Sequence, residues 1–145
     1  MTTLRFLLVS LLLTSMIGCK KDDLTPASQT ELLVANSWQT TRVSTPDGQS
    51  INRSRLNLST QVLFDLNMQF RANGTVRAID KQSKQIINGG TWKLATNSKS
   101  MDVVVTSFTG NFPIVELSRT KLILRQRAPV DGKDADINLE FDPTL

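Results

Sequence analysis

The chain holds one thiol, Cys19, and no histidine or tyrosine. With no imidazole to move a proton or bind a metal, a Ser-His-Asp triad, a thiolate–imidazole pair and a histidine zinc site are excluded within one chain. Carboxylates remain for acid–base work, but no spacing pairs them. Asp131, Asp134 and Asp136 crowd oxygen ligands together, yet they lack the spacing and closing Glu of an EF-hand, and Lys133 sits among them. The residues therefore assign no catalytic group, no metal and no cofactor, and no enzyme is expected. The net charge of +4 comes from 17 basic and 13 acidic side chains. They are scattered singly, so nucleic acid is not an expected partner. Arg53, Arg55, Arg71 and Arg77 would make an anion site if folding brought them to one end; the interspersed Asp65 and Asp80 suit a solvated surface better.

Cys19 points to a different chemistry. Arg5 is followed by the apolar run Phe6-Leu-Leu-Val-Ser-Leu-Leu-Leu13 and then by Thr-Ser-Met16-Ile17-Gly18, the three-part plan of a secretory signal. A membrane-spanning helix needs about 20 apolar residues; here charge begins directly after Cys19. Met16-Ile17-Gly18-Cys19 resembles the lipobox of bacterial lipoproteins, with Met16 standing where Leu is preferred. That resemblance implies cleavage before Cys19, a diacylglyceryl thioether on its sulfur and an acyl chain on its amine. One chain gives marginal membrane binding, whereas two or more anchor stably. Lys20 through Thr30 resembles the tether of Bacteroidota lipoproteins, and within it Lys21, Asp22 and Asp23 are similar to the signal that sends such proteins to the outer leaflet of the outer membrane. Lys20 stands where the inner-membrane retention signal has Asp. The expected layout is a signal peptide over 1–18, a flexible tether over 19–30 and one folded domain over 31–145, anchored to the outer membrane by covalent lipid on Cys19. The face of that membrane stays open.

The domain reads as strands. Ser28 through Glu31 gives Leu32-Leu33-Val34 a polar start that suits a short helical turn. Trp38–Val43 is rich in β-formers and ends at the turn Pro46-Asp47-Gly48. Phe64, Leu66, Met68 and Phe70 alternate with polar residues, Asn73-Gly74 turns the chain, and Thr75–Asp80 returns; Asn-Gly is the strongest short hairpin signal. A turn is expected at Asn88-Gly89-Gly90 and another break at Gly110-Asn111. Further strands are expected over Thr91–Ala95, Met101–Thr106, Phe112–Leu117, Lys121–Arg125 and, after Asp131-Gly132, Asp136–Phe141. Eight strands with short turns and no helical crossover predict an all-β antiparallel meander, either a closed barrel or a two-sheet sandwich. Residues 49–62 suit either a strand through Leu56 and Leu58 or a long loop across a barrel mouth.

Leu33 through Trp38, Met68 through Thr75, and Gly90-Thr91-Trp92-Lys93-Leu94 together resemble the lipocalin-like domain of Bacteroidota lipoproteins. In lipocalins a Gly-x-Trp opens the first strand, and a late basic residue covers the Trp at the closed end. Here Asn36-Ser37-Trp38 lacks the Gly, and Arg125 or Arg127 would supply the cation. The resemblance implies an eight-stranded calyx whose lumen holds either packed side chains or one small ligand. Phe64, Leu66, Met68, Phe70, Trp38 and Trp92 are the candidate lumen residues. Two functions follow: binding of a small apolar or amphipathic molecule, or docking of an envelope protein partner on a filled barrel.

Overall fold

The computed structural model describes residues 25–144. Its eight strands are β1 (Ser37–Ser44), β2 (Leu66–Phe70), β3 (Thr75–Asp80), β4 (Ile86–Leu94), β5 (Ser100–Val105), β6 (Phe108–Leu117), β7 (Leu122–Val130) and β8 (Lys133–Thr144). Each pairs antiparallel with the next, and β8 returns to β1 in a register from Ser37↔Thr144 to Ser44↔Asn138. The sheet is thus a closed barrel and not a sandwich, and closure leaves no open edge.

Alternation decides what fills it. Leu66, Met68 and Phe70 of β2, Val76 and Ala78 of β3, and Met101, Val103 and Val105 of β5 are buried, while their strand neighbours lie on the outer wall. A bulge between Thr40 and Arg42 shifts β1 by one residue, which returns Val43 to the core beside Leu139.

One end is sealed by helix α1 (Pro26–Val34), capped by the Thr25 hydroxyl, which accepts from the Ser28 N–H. The helix begins earlier than the polar stretch Ser28–Glu31 suggested and takes in residues assigned to the tether. Leu33 turns into the barrel end and is fully buried, as is Trp38, whose Nε1–H donates to the Leu33 carbonyl at 2.9 Å. This bond, not an arginine, secures the Trp. Arg125 lies on the outer wall against Asn138 at 3.1 Å, and Arg127 faces Asp134.

At the other end, residues 49–65 cross the mouth as a loop with helical turns at Arg53–Arg55, α2 (Leu58–Gln61) and Val62–Asp65, which settles the open choice for this segment. Asn52 and Asn57 cap the first two turns by accepting from the Ser54 and Thr60 N–H groups. Ile51, Leu56, Leu63 and Thr60 are buried beneath this lid.

Three sequence expectations change. Phe64 belongs to the turn Val62–Asp65, and β2 starts only at Leu66. Asn88-Gly89-Gly90 lies inside β4, the chain turning instead at residues 81–85. A Cβ on Gly90 would stand 1.9 Å from the Val104 carbonyl oxygen, so close strand approach and not turn geometry requires glycine there. Gly110-Asn111 lies inside β6, and the turn falls at Thr106-Ser107, where Ser107 takes φ 66°.

Candidate functional site

The lid is fastened on two sides. Toward the β7–β8 turn, Arg55 Nε donates to Asp131 Oδ2 at 2.8 Å, the Asp131 N–H donates to the Arg55 carbonyl at 2.8 Å, and Leu56 bridges Val130. The hydrogen bond to Asp131, helped by its charge, raises the Arg55 pKa above its ordinary value. Toward the β3–β4 turn, the Lys81 N–H donates to the Asp65 carbonyl at 3.0 Å and the Lys81 ammonium to the Phe64 carbonyl. Burial lowers the Lys81 pKa, with Arg53 adding to the fall and Asp65 opposing it. Arg53 pairs with Asp65 and lies 5.1 Å from the Phe64 ring centroid.

The third side of the lid, facing β4, β5 and β6, is open, and there lies a cleft of about 380 Å³. Leu66, Met68 and Ala78 form its inner wall, Val105 and Phe108 a side, and Leu58, Val62 and Leu63 of the lid its roof; Ile87 stands at the rim. Ser59, Asn88, Thr106 and Ser107 add its polar atoms, and among the described residues no charged side chain lines it. Asn88 is already committed, donating to the Thr106 carbonyl at 2.7 Å and accepting from the Gly89 N–H at 2.8 Å. Three residues around the opening are large hydrophobics left in water: Leu58 is 82% exposed, Val62 45% and Ile87 54%. Size and lining are those of a small-molecule site.

The sequence candidates separate in space. Leu66 and Met68 reach the cleft. Phe70 and Trp92 pack edge to face at 5.5 Å beside the β2–β3 turn, Trp92 donating to the Arg71 carbonyl at 3.0 Å, and Trp38 plugs the closed end. Phe64 packs against Arg53 as described. The basic residues do not converge: Arg53 and Arg55 hold the lid, Arg71 lies in the β2–β3 turn at the opposite end, and Arg77 sits on the outer wall of β3. Of the three acids near the β7–β8 turn, Asp131 pairs with Arg55 and Asp134 with Arg127. Cys19, Lys21, Asp22 and Asp23 lie outside the described residues.

Sequence reading missed the lid's contribution. Leu58 and Val62 stand four apart, a helical spacing, but a helix of four residues is too short to show a period. Ile87 and Phe108 reach the opening only because neighbouring strands bring their ends there.

A buried acid on the outer wall does a different job. Glu140 accepts from the Ser44 hydroxyl at 2.6 Å, with Arg42 at 3.3 Å and Lys121 at 4.0 Å. Ser44 is fully buried, so this group ties β1 to β8 and to Lys121 just before β7, and offers no nucleophile.

Two solved structures share the architecture. One is described as a lipocalin-like protein from Bacteroides uniformis, 16% identical with a TM-score of 0.50 over 77% of this chain and 98% of its own. The other is a DUF4847 family protein from Bacteroides vulgatus, 13% identical with a TM-score of 0.50 over 77% of this chain and 94% of its own. The fold is a lipocalin-like barrel. No family profile and no curated protein matches the sequence. At these identities the likeness concerns the fold, so the lipocalin-like cleft must speak through its own lining.

Proposed function

We propose that this protein is a non-enzymatic lipoprotein of the outer membrane whose lipocalin-like barrel binds a small apolar or amphipathic molecule in the cleft beneath the lid. The observation that carries the binding reading is an uncharged apolar cleft that opens between exposed Leu58, Val62 and Ile87. Apolar area left in water forgoes about 25 cal/mol per Å², a cost that a ligand or partner covering the opening removes. The test uses the chain from Cys19 onward with Cys19→Ser and the neutral fluorophore N-phenyl-1-naphthylamine. Saturable binding is expected, weakened about tenfold by Leu58→Glu or Val62→Glu, changes at exposed positions that leave the core intact. A signal that does not saturate, or one indifferent to both variants, overturns the reading.

The anchoring part rests on the lipobox-like Met16-Ile17-Gly18-Cys19. Cys19→Ala should release the protein from the membrane fraction; retention there removes the assignment. Protease treatment of intact cells should remove the domain if Lys21, Asp22 and Asp23 act as a surface signal, and protection places it on the periplasmic side.

The fully buried Trp38, Met101, Leu122, Ile137 and Leu139, which fill the barrel from its closed end inward, favour a second reading. In it the exposed residues at the opening dock an envelope protein. Loss of a co-purifying protein in Leu58→Glu, with no fluorophore bound by the parent chain, would select it.

A further inference from the structure

The apolar cleft has a neighbour of different chemistry. On the other side of Phe108 lies a second cavity of about 410 Å³ that shares Ser59, Ser107 and Phe108 with the first. Phe108 stacks on Phe112, ring centroids 4.8 Å apart and planes 8° apart, so the dividing wall is a fixed aromatic face. The two cavities differ in chemistry. Thr60, Gln126 and Arg127 line the second, together with the shared serines, and among the described residues no carboxylate does.

Gln126 is the informative residue. It follows Leu122 and Leu124 and precedes Ala128 on the face of β7 that is otherwise buried and apolar. Gln126 itself is only half-buried and lines the second cavity, so its amide is open to solvent or to a ligand. Among the described residues its one side-chain bond is a long one, Nε2 to the Thr60 hydroxyl at 3.4 Å, which leaves a second N–H and the carbonyl for something else. Among the described residues Arg127 beside it meets only Asp134, at 3.9 Å, and both side chains are about two-thirds exposed. Such a pair is worth little and exchanges easily for another anion.

Resting on the ligand-binding reading above, we propose that the ligand is an acidic amphiphile, a carboxylate or phosphate monoester on an apolar tail. The tail occupies the apolar cleft and the oxyanion crosses Phe108 to the Gln126 amide, the serine hydroxyls and the Arg127 guanidinium. All of these donate hydrogen bonds, and a charged donor roughly doubles the strength of such a bond to an oxyanion.

Amphiphiles sharing one tail separate this idea from the parent reading. Dodecanoate, dodecyl phosphate, dodecanol and dodecyltrimethylammonium are each used to displace N-phenyl-1-naphthylamine from the Cys19→Ser chain. Both oxyanions are expected to compete about tenfold better than the ammonium. Arg127→Gln and Gln126→Leu should each reduce that preference severalfold while leaving fluorophore affinity unchanged. Equal displacement by all four head groups, or a preference that survives both variants, overturns the acidic-amphiphile proposal and leaves the apolar site standing. Failure of the fluorophore to bind removes the parent reading itself. Arg127→Gln, at an exposed position, keeps the test decisive should Gln126→Leu fail to fold.

Discussion

The indole Nε1 of Trp38 lies 2.9 Å from the carbonyl oxygen of Leu33, and both side chains are fully buried. Helix ends leave carbonyls without intrahelical partners, and here the first strand supplies the donor for the helix that seals the barrel. Trp38→Phe keeps an aromatic plug but strands that carbonyl, at a cost of about 1–3 kcal/mol plus the cavity left by the smaller ring. Trp92→Phe removes a similar bond, 3.0 Å to the Arg71 carbonyl. That oxygen also accepts from the Gly74 N–H at 3.0 Å and belongs to an exposed turn residue, so the loss should be smaller. Urea denaturation followed by circular dichroism is expected to rank Trp38→Phe as the more damaging change.

Two adjacent glycines should respond oppositely to the same substitution. A methyl on Gly90 meets the Val104 carbonyl at 1.9 Å and Val105 Cγ1 at 2.8 Å, whereas one on Gly89 finds only the Val76 carbonyl at 3.6 Å. Gly90→Ala is expected to cost about 3 kcal/mol or more, as overpacking against backbone does. Gly89→Ala should stabilise by roughly 0.5 kcal/mol through reduced chain entropy. Melting temperatures of the two variants check the sign.

These glycines also show where sequence reading stops. The hairpin of β2 and β3 was legible because its signals are local: Asn73 accepts from the Thr75 N–H at 3.1 Å and Gly74 takes φ +78°, as an Asn-Gly turn requires. Asn88-Gly89 carries the same composition inside a strand, and the glycine the fold requires there, Gly90, is required by β5, which no local rule contains. Alternation carried the strand pattern back to Phe64 although β2 begins at Leu66, since a short helical turn can continue the apolar–polar rhythm by chance. Leu66 and Met68 were readable as lumen-facing. Their partners in the cleft, Leu58, Ile87 and Phe108, come from three separate parts of the chain and could be grouped only by folding. Asn52 and Asn57 cap turns of three and four residues, too brief for periodicity to mark them.

Acid should weaken the fold through specific carboxylates. Asp142 accepts from Lys121 Nζ at 2.6 Å; that bond holds its carboxyl below the usual range, partial burial opposing and Thr41 assisting. Asp80 is held low by the Ser83 N–H at 2.6 Å and then by the Ser83 hydroxyl at 2.8 Å. A folded-state pKa below the unfolded value of about 3.9 contributes stability that is complete above that value and is lost as pH falls through the folded pKa. With no histidine in the chain, stability should be nearly flat from about pH 7 to pH 5 and fall below about pH 4. Asp142→Asn should flatten part of that acid limb. At neutral pH it should cost under about 1 kcal/mol, since the Asp142 side chain is 44% exposed and solvent screens the pair. A limb unchanged in both Asp142→Asn and Asp80→Asn would place the acid sensitivity elsewhere.

The lid itself offers the sharpest link between structure and binding. Its clamp to the β7–β8 turn is the Arg55–Asp131 pair, and Asp131 takes φ 51°, a conformation that asparagine tolerates nearly as well as aspartate. Asp131→Asn therefore removes the charge that holds Arg55 without straining the turn. As the pair is exposed, solvent screens it and global stability should hardly change. Local opening is another matter, because Arg53 and Arg55 lie in the lid and trypsin cleaves after arginine. If the clamp keeps the lid down, Asp131→Asn should raise the rate of tryptic cleavage in residues 53–55 severalfold at unchanged melting temperature, since native-state proteolysis follows the local open population. The same variant should release N-phenyl-1-naphthylamine faster, the roof of the cleft being formed by Leu58, Val62 and Leu63 of that lid. Faster cleavage with an unchanged release rate would mean that the ligand leaves through the opening beside Ile87 without the lid moving.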